Sequence, residues 1–228
     1  MKIFITGVAG FLGSHLADLM LSGGHTVAGN DNMIGGYADN VPQGVEFHQV
    51  DCCDLENLTK AMEGCDIVYH TAATAYEGLS VFSPVRVTRN IFEASVTTIT
   101  AAIRNNVKRI VYCSSMARYG HHDKMPYRED YECRPQDPYG IAKKAGEDVL
   151  KNLCETHGVE YVIAVPHNIV GPRQKYDDPF RNVMSIMLNR MLQGKQPIIY
   201  GDGEQQRCFS YIDDCLYCLN ALAFQEDV

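Results

Sequence analysis

A glycine-rich turn near the start of the chain limits its possible folds more than any other feature. Residues 6–13 carry glycine at positions 7, 10 and 13, directly after the strand-like run at 2–6. Glycine allows a tight turn and lets backbone N–H groups approach a ligand with no Cβ in the way. The N-terminus of a following helix would offer unpaired N–H groups and a positive dipole end to a diphosphate. The motif in this position predicts a dinucleotide-binding site.

Apolar, β-branched runs alternate with longer helical stretches through the first 165 residues. Strands are predicted at 2–6, 26–28, 45–50, 66–70, 109–114 and 160–165, and helices at 14–21, 55–62, 90–105 and 138–157. Regular alternation indicates βαβ units and a parallel sheet. The strand runs are apolar throughout, which is typical of strands covered on both faces. We therefore expect an α/β fold with a Rossmann-type doubly wound parallel sheet.

Acidic residues follow two of the predicted strands. Asp31 comes 18 residues after Gly13, where a carboxylate accepts hydrogen bonds from the adenosine ribose of a dinucleotide. A carboxylate there would repel a 2′-phosphate, and no arginine stands beside it, so the sequence favours NAD over NADP. Asp51 follows the third strand and, with Cys52, could hold the adenine edge. The alternative for Asp51 is a turn or N-cap residue.

A tyrosine and a lysine lie four residues apart at the start of the predicted helix 138–157. This spacing puts Tyr139 and Lys143 on one helix face. A free phenol has a pKa of roughly 10 and is a poor base at neutral pH. A nearby ammonium group would lower the pKa of the phenol. The pair, with Ser115 at the end of the fifth strand, is suited to removing a proton from a substrate hydroxyl as hydride leaves the same carbon.

The pattern changes after residue 166. A polar loop at 171–178 is followed by a predicted helix at 180–192, short apolar runs at 197–200 and 208–212, and a final helix. We interpret residues 1–166 as a dinucleotide-binding domain that carries the Ser/Tyr/Lys set. Residues 167–228 would form part of a smaller substrate-binding lobe.

Composition excludes several classes of protein. The 228 residues carry a net charge of −8, which argues against nucleic-acid binding, since that requires a basic surface. No run of 18 apolar residues is present, and the N-terminus lacks the features of a signal peptide. Nine cysteines, an odd number, favour free thiols in a reducing cytoplasm. Cys215 and Cys218 have no second ligand pair, so no metal site is expected.

The ordered motifs resemble those of the extended short-chain dehydrogenase/reductase family, in its nucleotide-sugar epimerase/dehydratase branch. The resemblance covers nearly the whole chain. It rests on TGxxGxxG at 6–13, DN at 31–32, an Asp-hydrophobic pair at 51–52, HxAA at 70–73, SSxxxYG at 114–120, YxxxK at 139–143 and NxxGPRQ at 168–174. It also rests on the GDGxxxRxFxYxxD segment, matched by Gly201, Asp202, Gly203, Arg207, Phe209, Tyr211 and Asp213. It implies an NAD-dependent enzyme that acts on a nucleotide sugar, and we favour a UDP-sugar. It also implies a homodimer formed through the helices at 90–105 and 138–157.

The resemblance also assigns roles to individual residues. The catalytic residues it implies are Ser115, Tyr139 and Lys143. The NAD-binding residues it implies are Gly7, Gly10, Phe11, Leu12, Asp31, Asn32, Asp51, Cys52, Ala72, Tyr139, Lys143 and His167. The substrate-binding residues it implies are Asn168, Asn182, Val183, Ile199, Tyr200 and Arg207.

The residues after Ser115 bear on the reaction. Sugar 4,6-dehydratases of this branch carry an Asp-Glu pair there and the decarboxylases a Glu, whereas this chain has Met116 and Ala117. The set fits C4 epimerisation of a UDP-hexose or UDP-N-acetylhexosamine through a transient 4-keto intermediate. The alternatives are an oxidoreductase or dehydratase of the same family, or a non-catalytic NAD-binding protein. Arg118 either reaches a negative group of the substrate or points to solvent.

Relatives in this family continue past the RxFxYxxD segment. We therefore expect the substrate lobe to be incomplete within these 228 residues.

Overall fold

A six-stranded parallel sheet forms the centre of the computed structural model, which describes residues 1–122, 125–178 and 182–225. The strands are β1 (Lys2–Thr6), β2 (Thr26–Asn30), β3 (Glu46–His48), β4 (Ile67–His70), β5 (Arg109–Cys113) and β6 (Glu160–Ala164). Their spatial order is β3-β2-β1-β4-β5-β6, and every neighbouring pair is parallel. The predicted doubly wound sheet is confirmed. The order reverses between β1 and β4, so ligands are expected at the carboxyl ends of these two strands.

Eight α-helices are present within the described residues. They are α1 (Phe11–Ser22), α2 (Leu55–Ala61), α3 (Glu77–Ser80), α4 (Pro84–Thr88), α5 (Ala94–Arg104), α6 (Pro138–His157), α7 (Val183–Leu192) and α8 (Ile212–Phe224). The helix predicted at 90–105 is part of a longer helical stretch, because α4 and α5 are joined by a π-helical turn over Arg89–Glu93. That stretch begins at Pro84, a residue well suited to the first helical turn. No described helix is long and apolar enough to cross a lipid bilayer.

The sheet is covered on both faces, as the continuous apolar runs predict. Successive side chains of a strand point to opposite faces. Ile3 and Ile5 therefore pack with α1 on one side, and Phe4 packs with α2 and α5 on the other. Because both faces are buried, the functional groups lie at the ends of the strands.

The final helix returns to the sheet. Leu216, Leu219 and Ala223 of α8 belong to the same buried cluster as α1 and β1. The Tyr69 hydroxyl donates to the Leu219 carbonyl over 3.5 Å, and Arg109 donates to carbonyls at the end of α8. The domain boundary at residue 166 stays a prediction, but α8 packs as a part of the first core. In the segment between β6 and α8, β7 (Ile169–Val170) and β8 (Ser210–Tyr211) form a separate parallel pair.

Candidate active site

Close backbone packing shapes the glycine turn. Gly7 has a φ of +72°, and a Cβ there would lie 2.9 Å from the Cα of Ala72. A Cβ on Gly13 would lie 2.2 Å from the carbonyl oxygen of Gly7. Gly10 is the N-cap residue of α1, and a glycine has no side chain that could cap the helix. The turn is thus a close-packed backbone cradle at the N-terminus of α1, as a diphosphate site requires.

A buried chain of hydrogen bonds holds the β4 end of this cradle. Thr6 Oγ1 accepts the N–H of Ala72 over 3.1 Å and lies 2.9 Å from Nδ1 of His70. On the other side of the ring, Nε2 lies 3.1 Å from Ser95 Oγ, which donates to the Ile91 carbonyl over 2.5 Å. Donor counting assigns the proton of neutral His70 to Nε2, since the Thr6 hydroxyl then donates to Nδ1. This series of hydrogen bonds links the glycine turn to the helical stretch that begins at Pro84.

Burial of His70 predicts a loss of stability in acid. Burial, with a smaller effect of Lys143, lowers the pKa of His70 from 6.5 to about 3. The unfolded chain therefore binds a proton before the folded protein does, and the free energy of unfolding falls as the pH drops from 6.5 towards 3. We expect a contribution on the order of a few kcal/mol. Urea unfolding at stepped pH measures it.

His70→Asn should reduce this pH slope, and His157→Asn, at the exposed end of α6, should keep it. An unchanged slope in His70→Asn would show that His70 is not the group responsible.

The two acidic residues predicted to contact the cofactor are held by backbone N–H groups. Asp31 is buried and accepts from the N–H of Met33 over 2.8 Å and of Ala9 over 3.2 Å. Burial raises the pKa of Asp31, although these hydrogen bonds oppose the rise. Asp51 accepts from Cys53 N–H over 2.8 Å, as a turn residue does, and from Asn32 Nδ2 over 3.0 Å. Burial opposes ionisation of Asp51, but these hydrogen bonds outweigh it and the pKa is lowered.

Removal of the Asp31 charge should weaken selection against a 2′-phosphate. In Asp31→Asn we expect the Kd for NAD to rise about tenfold, because hydrogen bonds to a charged acceptor are lost. The ratio of NADP to NAD dissociation constants should fall towards one. Asp39→Asn, an equal charge change in the exposed turn Ala38–Asn40, is the control for both titrations. An unchanged ratio would contradict a role of Asp31 at the ribose.

A cavity of about 260 Å³ opens at the carboxyl ends of β1 and β4. Eleven of the twelve residues predicted to bind NAD line it: Gly7, Gly10, Phe11, Leu12, Asp31, Asn32, Asp51, Cys52, Ala72, Tyr139 and Lys143. His167 does not line it. Their roles stay predictions, but the chain brings them to one cavity, and the close-packed glycine turn fits a dinucleotide.

Several residues that line the cavity were not predicted from the sequence. Gly36 is one of them, and a Cβ there would lie 2.6 Å from the carbonyl carbon of Ala9. The adjacent glycines at 35 and 36 were an available signal. Asn90, which donates to Thr74 Oγ1 over 3.0 Å, and Lys175, over the Tyr37 ring at 4.5 Å, also line the cavity. Their positions depend on the tertiary fold.

Helix α6 positions the two catalytic candidates at the cavity. Asp137 caps the helix by accepting the N–H of Gly140 over 2.9 Å. Lys143 is only 2% exposed, and its Nζ donates to the Cys113 carbonyl over 2.7 Å. Burial lowers the pKa of Lys143 to about 8. A fraction of the Lys143 side chains is therefore expected to be uncharged above about pH 8.

The pKa of the Tyr139 phenol differs from the one expected from the sequence. Burial raises the pKa of Tyr139 to about 12, although a hydrogen bond with the Ser115 side chain lowers it. The prediction that the protein's own lysine lowers this pKa below 10 is therefore wrong. The reason is that burial outweighs the hydrogen bond, and that the Lys143 ammonium is directed to the Cys113 carbonyl. The hydrogen bond places Ser115 beside Tyr139, so the predicted catalytic residues are together.

The residues predicted to bind substrate lie outside the cavity lining. Asn182 caps α7 by accepting the Met184 N–H over 3.0 Å, and Asn168 donates to the Cys208 carbonyl over 3.1 Å. Both stand next to β7. The others are exposed, and they are Val183, Ile199, Tyr200 and Arg207. The structure therefore brings together the two asparagines at β7 but leaves the other four on the surface.

Arg118 follows neither of its expected alternatives. Its Nη1 lies 3.1 Å from Oε2 of the fully buried Glu147, and its side chain is 12% exposed. It therefore neither points to solvent nor is available for an anionic substrate.

Comparison with known proteins decides the family. A profile described as the NAD dependent epimerase/dehydratase family matches residues 3–226. The chain belongs to this family. NAD is accordingly its cofactor, and the family resemblance and the cofactor predicted from the motifs are confirmed.

Three relatives illustrate the similarity. A putative UDP-glucose 4-epimerase of Methanocaldococcus jannaschii is 33% identical over 93% of this chain and 70% of its own length. The solved UDP-N-acetylglucosamine 4-epimerase of Methanobrevibacter ruminantium, in complex with UDP-N-acetylmuramic acid, has a TM-score of 0.92 and 32% identity, over 99% of this chain and 73% of its own. The Thermus thermophilus UDP-glucose 4-epimerase complex with NAD has a TM-score of 0.92 and 30% identity, over 99% and 75%.

Proposed function

We propose that this member of the epimerase/dehydratase family is an NAD-dependent nucleotide-sugar epimerase that inverts C4 of a UDP-hexose or UDP-N-acetylhexosamine. The observation that carries the proposal is that Tyr139 and Lys143 line the same cavity as the glycine turn. Ser115 is not among the residues that line this cavity, but its side chain is hydrogen-bonded to Tyr139. The similar proteins described above are UDP-glucose and UDP-N-acetylglucosamine 4-epimerases, which supports the same chemistry.

In the proposed mechanism, the residues of the chain move one proton and orient one hydroxyl. NAD, when bound, supplies the oxidation of C4 by accepting hydride and returning it. Tyr139 takes the proton of the C4 hydroxyl and later gives it back to the 4-keto sugar. Ser115 shares a hydrogen bond with the same oxygen. Burial raises the pKa of the Tyr139 phenol in the free protein. The phenolate would therefore be favoured only where the charges of the Lys143 ammonium in the same cavity and of oxidised nicotinamide together outweigh that burial.

Met116 and Ala117 argue against the other reactions of the family. Elimination of water or loss of carboxylate needs an additional acid or base next to the sugar. These two side chains can neither donate nor accept a proton, and they occupy the turn Met116–Arg118 directly after Ser115. Epimerisation needs no such group, because hydride returns to the same carbon.

Local charge favours a neutral sugar over a uronic acid. The carboxylates of Glu77 and Asp137 lie close enough to Tyr139 to raise the pKa of its phenol. A sugar carboxylate at this place would meet their repulsion. Arg118 is paired with Glu147, and the charge of Arg207 already acts on Glu77. We therefore propose an uncharged hexose or N-acetylhexosamine.

Incubation with a panel of UDP-, GDP-, CDP- and dTDP-sugars, followed by NMR of the products, tests the proposal. Inversion at C4 without net formation of NADH is the expected result. Stoichiometric NADH would instead establish an oxidoreductase, and a keto-deoxy sugar would establish a dehydratase. Binding of NAD without conversion of any sugar would favour the non-catalytic alternative.

We also propose a homodimer in the cytoplasm. Ile141 is an exposed apolar side chain on α6, one of the helices expected at the interface. Val85 is another, on α4, which continues through the π-helical turn into the second expected helix. Their burial in a dimer would be favourable. All nine cysteines are free thiols, which supports a reducing compartment. Sedimentation equilibrium of the wild type and of Val85→Lys tests the interface, since a monomeric wild type would exclude it.

A further inference from the structure

We propose that Glu147 is a positioning residue that, with Arg118, locks the catalytic turn to the catalytic helix. The catalytic turn is the segment 114–118, which carries Ser115, and the catalytic helix is α6, which carries Tyr139 and Lys143. The inference rests on the proposed function, because it concerns the geometry of the same three groups.

The position of Glu147 on α6 is the first argument. Tyr139, Lys143 and Glu147 are four residues apart in turn, so they follow one another along one face of the helix. Glu147 is 0% exposed. A carboxylate that is fully buried one helical turn beyond a catalytic lysine requires compensation from hydrogen bonds or charge.

Both oxygens of Glu147 contact the catalytic turn. Oε1 accepts a short hydrogen bond from the Ser114 hydroxyl. Oε2 lies 3.1 Å from Nη1 of Arg118. The two contacts lie on either side of Ser115 in the sequence. One side chain of α6 therefore fixes both ends of the segment that presents the Ser115 hydroxyl.

Arg118 is fixed by several partners rather than by one. Its Nε donates to Cys133 Sγ over 3.0 Å, and its guanidinium carbon lies 5.0 Å from the centroid of the Tyr119 ring. Burial disfavours its charge, but the bond with Cys133 and the attraction of Glu147 outweigh burial and raise the pKa of Arg118. Its guanidinium is thus held as a permanent cation against Glu147.

The turn itself transmits this restraint to the Ser115 hydroxyl. The N–H of Arg118 donates to the Ser115 carbonyl over 3.1 Å, and the N–H of Ala117 donates to Ser115 Oγ over 3.2 Å. A movement of Arg118 would therefore change the direction in which Ser115 Oγ points. Catalytic groups need placement to within a fraction of an ångström, so such a movement would slow the reaction.

Stability alone does not explain the pair. A buried ion pair is often no more stabilising than apolar side chains of the same volume, because both charges lose their hydration. In this chain the pair is placed between the turn and the helix that carry the proposed catalytic residues. This placement, in addition to its burial, is the reason for assigning it to positioning.

Three variants, Glu147→Gln, Arg118→Met and the double variant, test the proposal. We expect each single variant to lower kcat at least tenfold, with KM and the Kd for NAD within threefold of the wild type. The double variant should be no slower than the slower single variant, since both changes remove one coupled pair. Arg118→Lys, which keeps the charge, should recover part of kcat. Asp148→Asn, which removes an exposed partner of Lys144 on the same helix, is the matched control.

Two further measurements separate positioning from simple loss of stability. Hydrogen exchange of the amides at 114–118 should speed up at least tenfold in Glu147→Gln, whereas that of α5 should not change. The alkaline limb of kcat should move to lower pH, since Glu147 favours the Lys143 ammonium. His70 from β4 and Tyr112 and Cys113 from β5 also face Lys143, and all three are unchanged in this variant.

Unchanged exchange at 114–118 together with kcat within twofold of the wild type would overturn the proposal. If Glu147→Gln fails to fold, the comparison of Arg118→Met with Arg118→Lys decides, and equal kcat values there would overturn it. A wild type that converts no sugar would refute the proposed function instead. The exchange measurement would still decide whether Glu147 holds the turn.

Discussion

Tyr139→Phe should lower kcat by about 10³-fold, because the group proposed to move the proton of the sugar hydroxyl is lost. The aromatic ring that remains packs with Val87, Ile91 and Ala142, so the fold should be kept. The Kd for NAD should stay within about threefold of the wild-type value. Steady-state epimerisation assays and calorimetric titration with NAD measure the two quantities on one preparation.

The matched control is Tyr161→Phe, which removes a phenol that donates to Glu155 at the opposite end of the sheet. This variant should keep full turnover. If Tyr139→Phe turned over at the wild-type rate, the proton would have to move through another group and the proposed mechanism would fail. If it lost NAD binding as well, its effect would be structural.

The parts of the fold that depend on local sequence were predictable. The glycine turn follows from residues adjacent in the chain, and the strand runs follow from their own apolar composition. Helix α6 has the ends that were predicted, and in the structure it begins at Pro138 and is followed by Gly158 in the left-handed conformation. The carboxyl ends of parallel strands meet at one edge, and this brought eleven of the predicted cofactor residues to one cavity.

Features that depend on distant contacts were not predictable. Arg118 pairs with a residue 29 positions away, and no local pattern indicates that partner. The pKa of Tyr139 depends on how deeply the ring is buried, which outweighs the neighbours visible in the sequence. Helix α8 follows the residues of the second lobe in sequence, yet its apolar face completes the core beside α1. The sequence shows that the face is apolar but not which surface it covers.

Gly13→Ala should raise the Kd for NAD more than 100-fold. A Cβ at this position would lie 2.2 Å from the carbonyl oxygen of Gly7 and 3.0 Å from the Cα of Val8. Both contacts are with backbone, so α1 must move away from the turn that its N-terminus completes. Overpacking of this kind costs about 1–3 kcal/mol of unfolding free energy. Calorimetric titration with NAD and urea unfolding measure the two effects.

Gly78→Ala provides the control for an added methyl group, since nothing lies within 4 Å of a Cβ at that position. It should leave both NAD affinity and stability close to the wild-type values. The loss of affinity in Gly13→Ala should exceed what its loss of stability explains, because the N–H groups of α1 would no longer converge on the diphosphate even in the folded protein. If Gly13→Ala bound NAD as the wild type does, the close approach of α1 to the turn would not be required for cofactor binding. The glycine turn would then not be the site that holds the diphosphate.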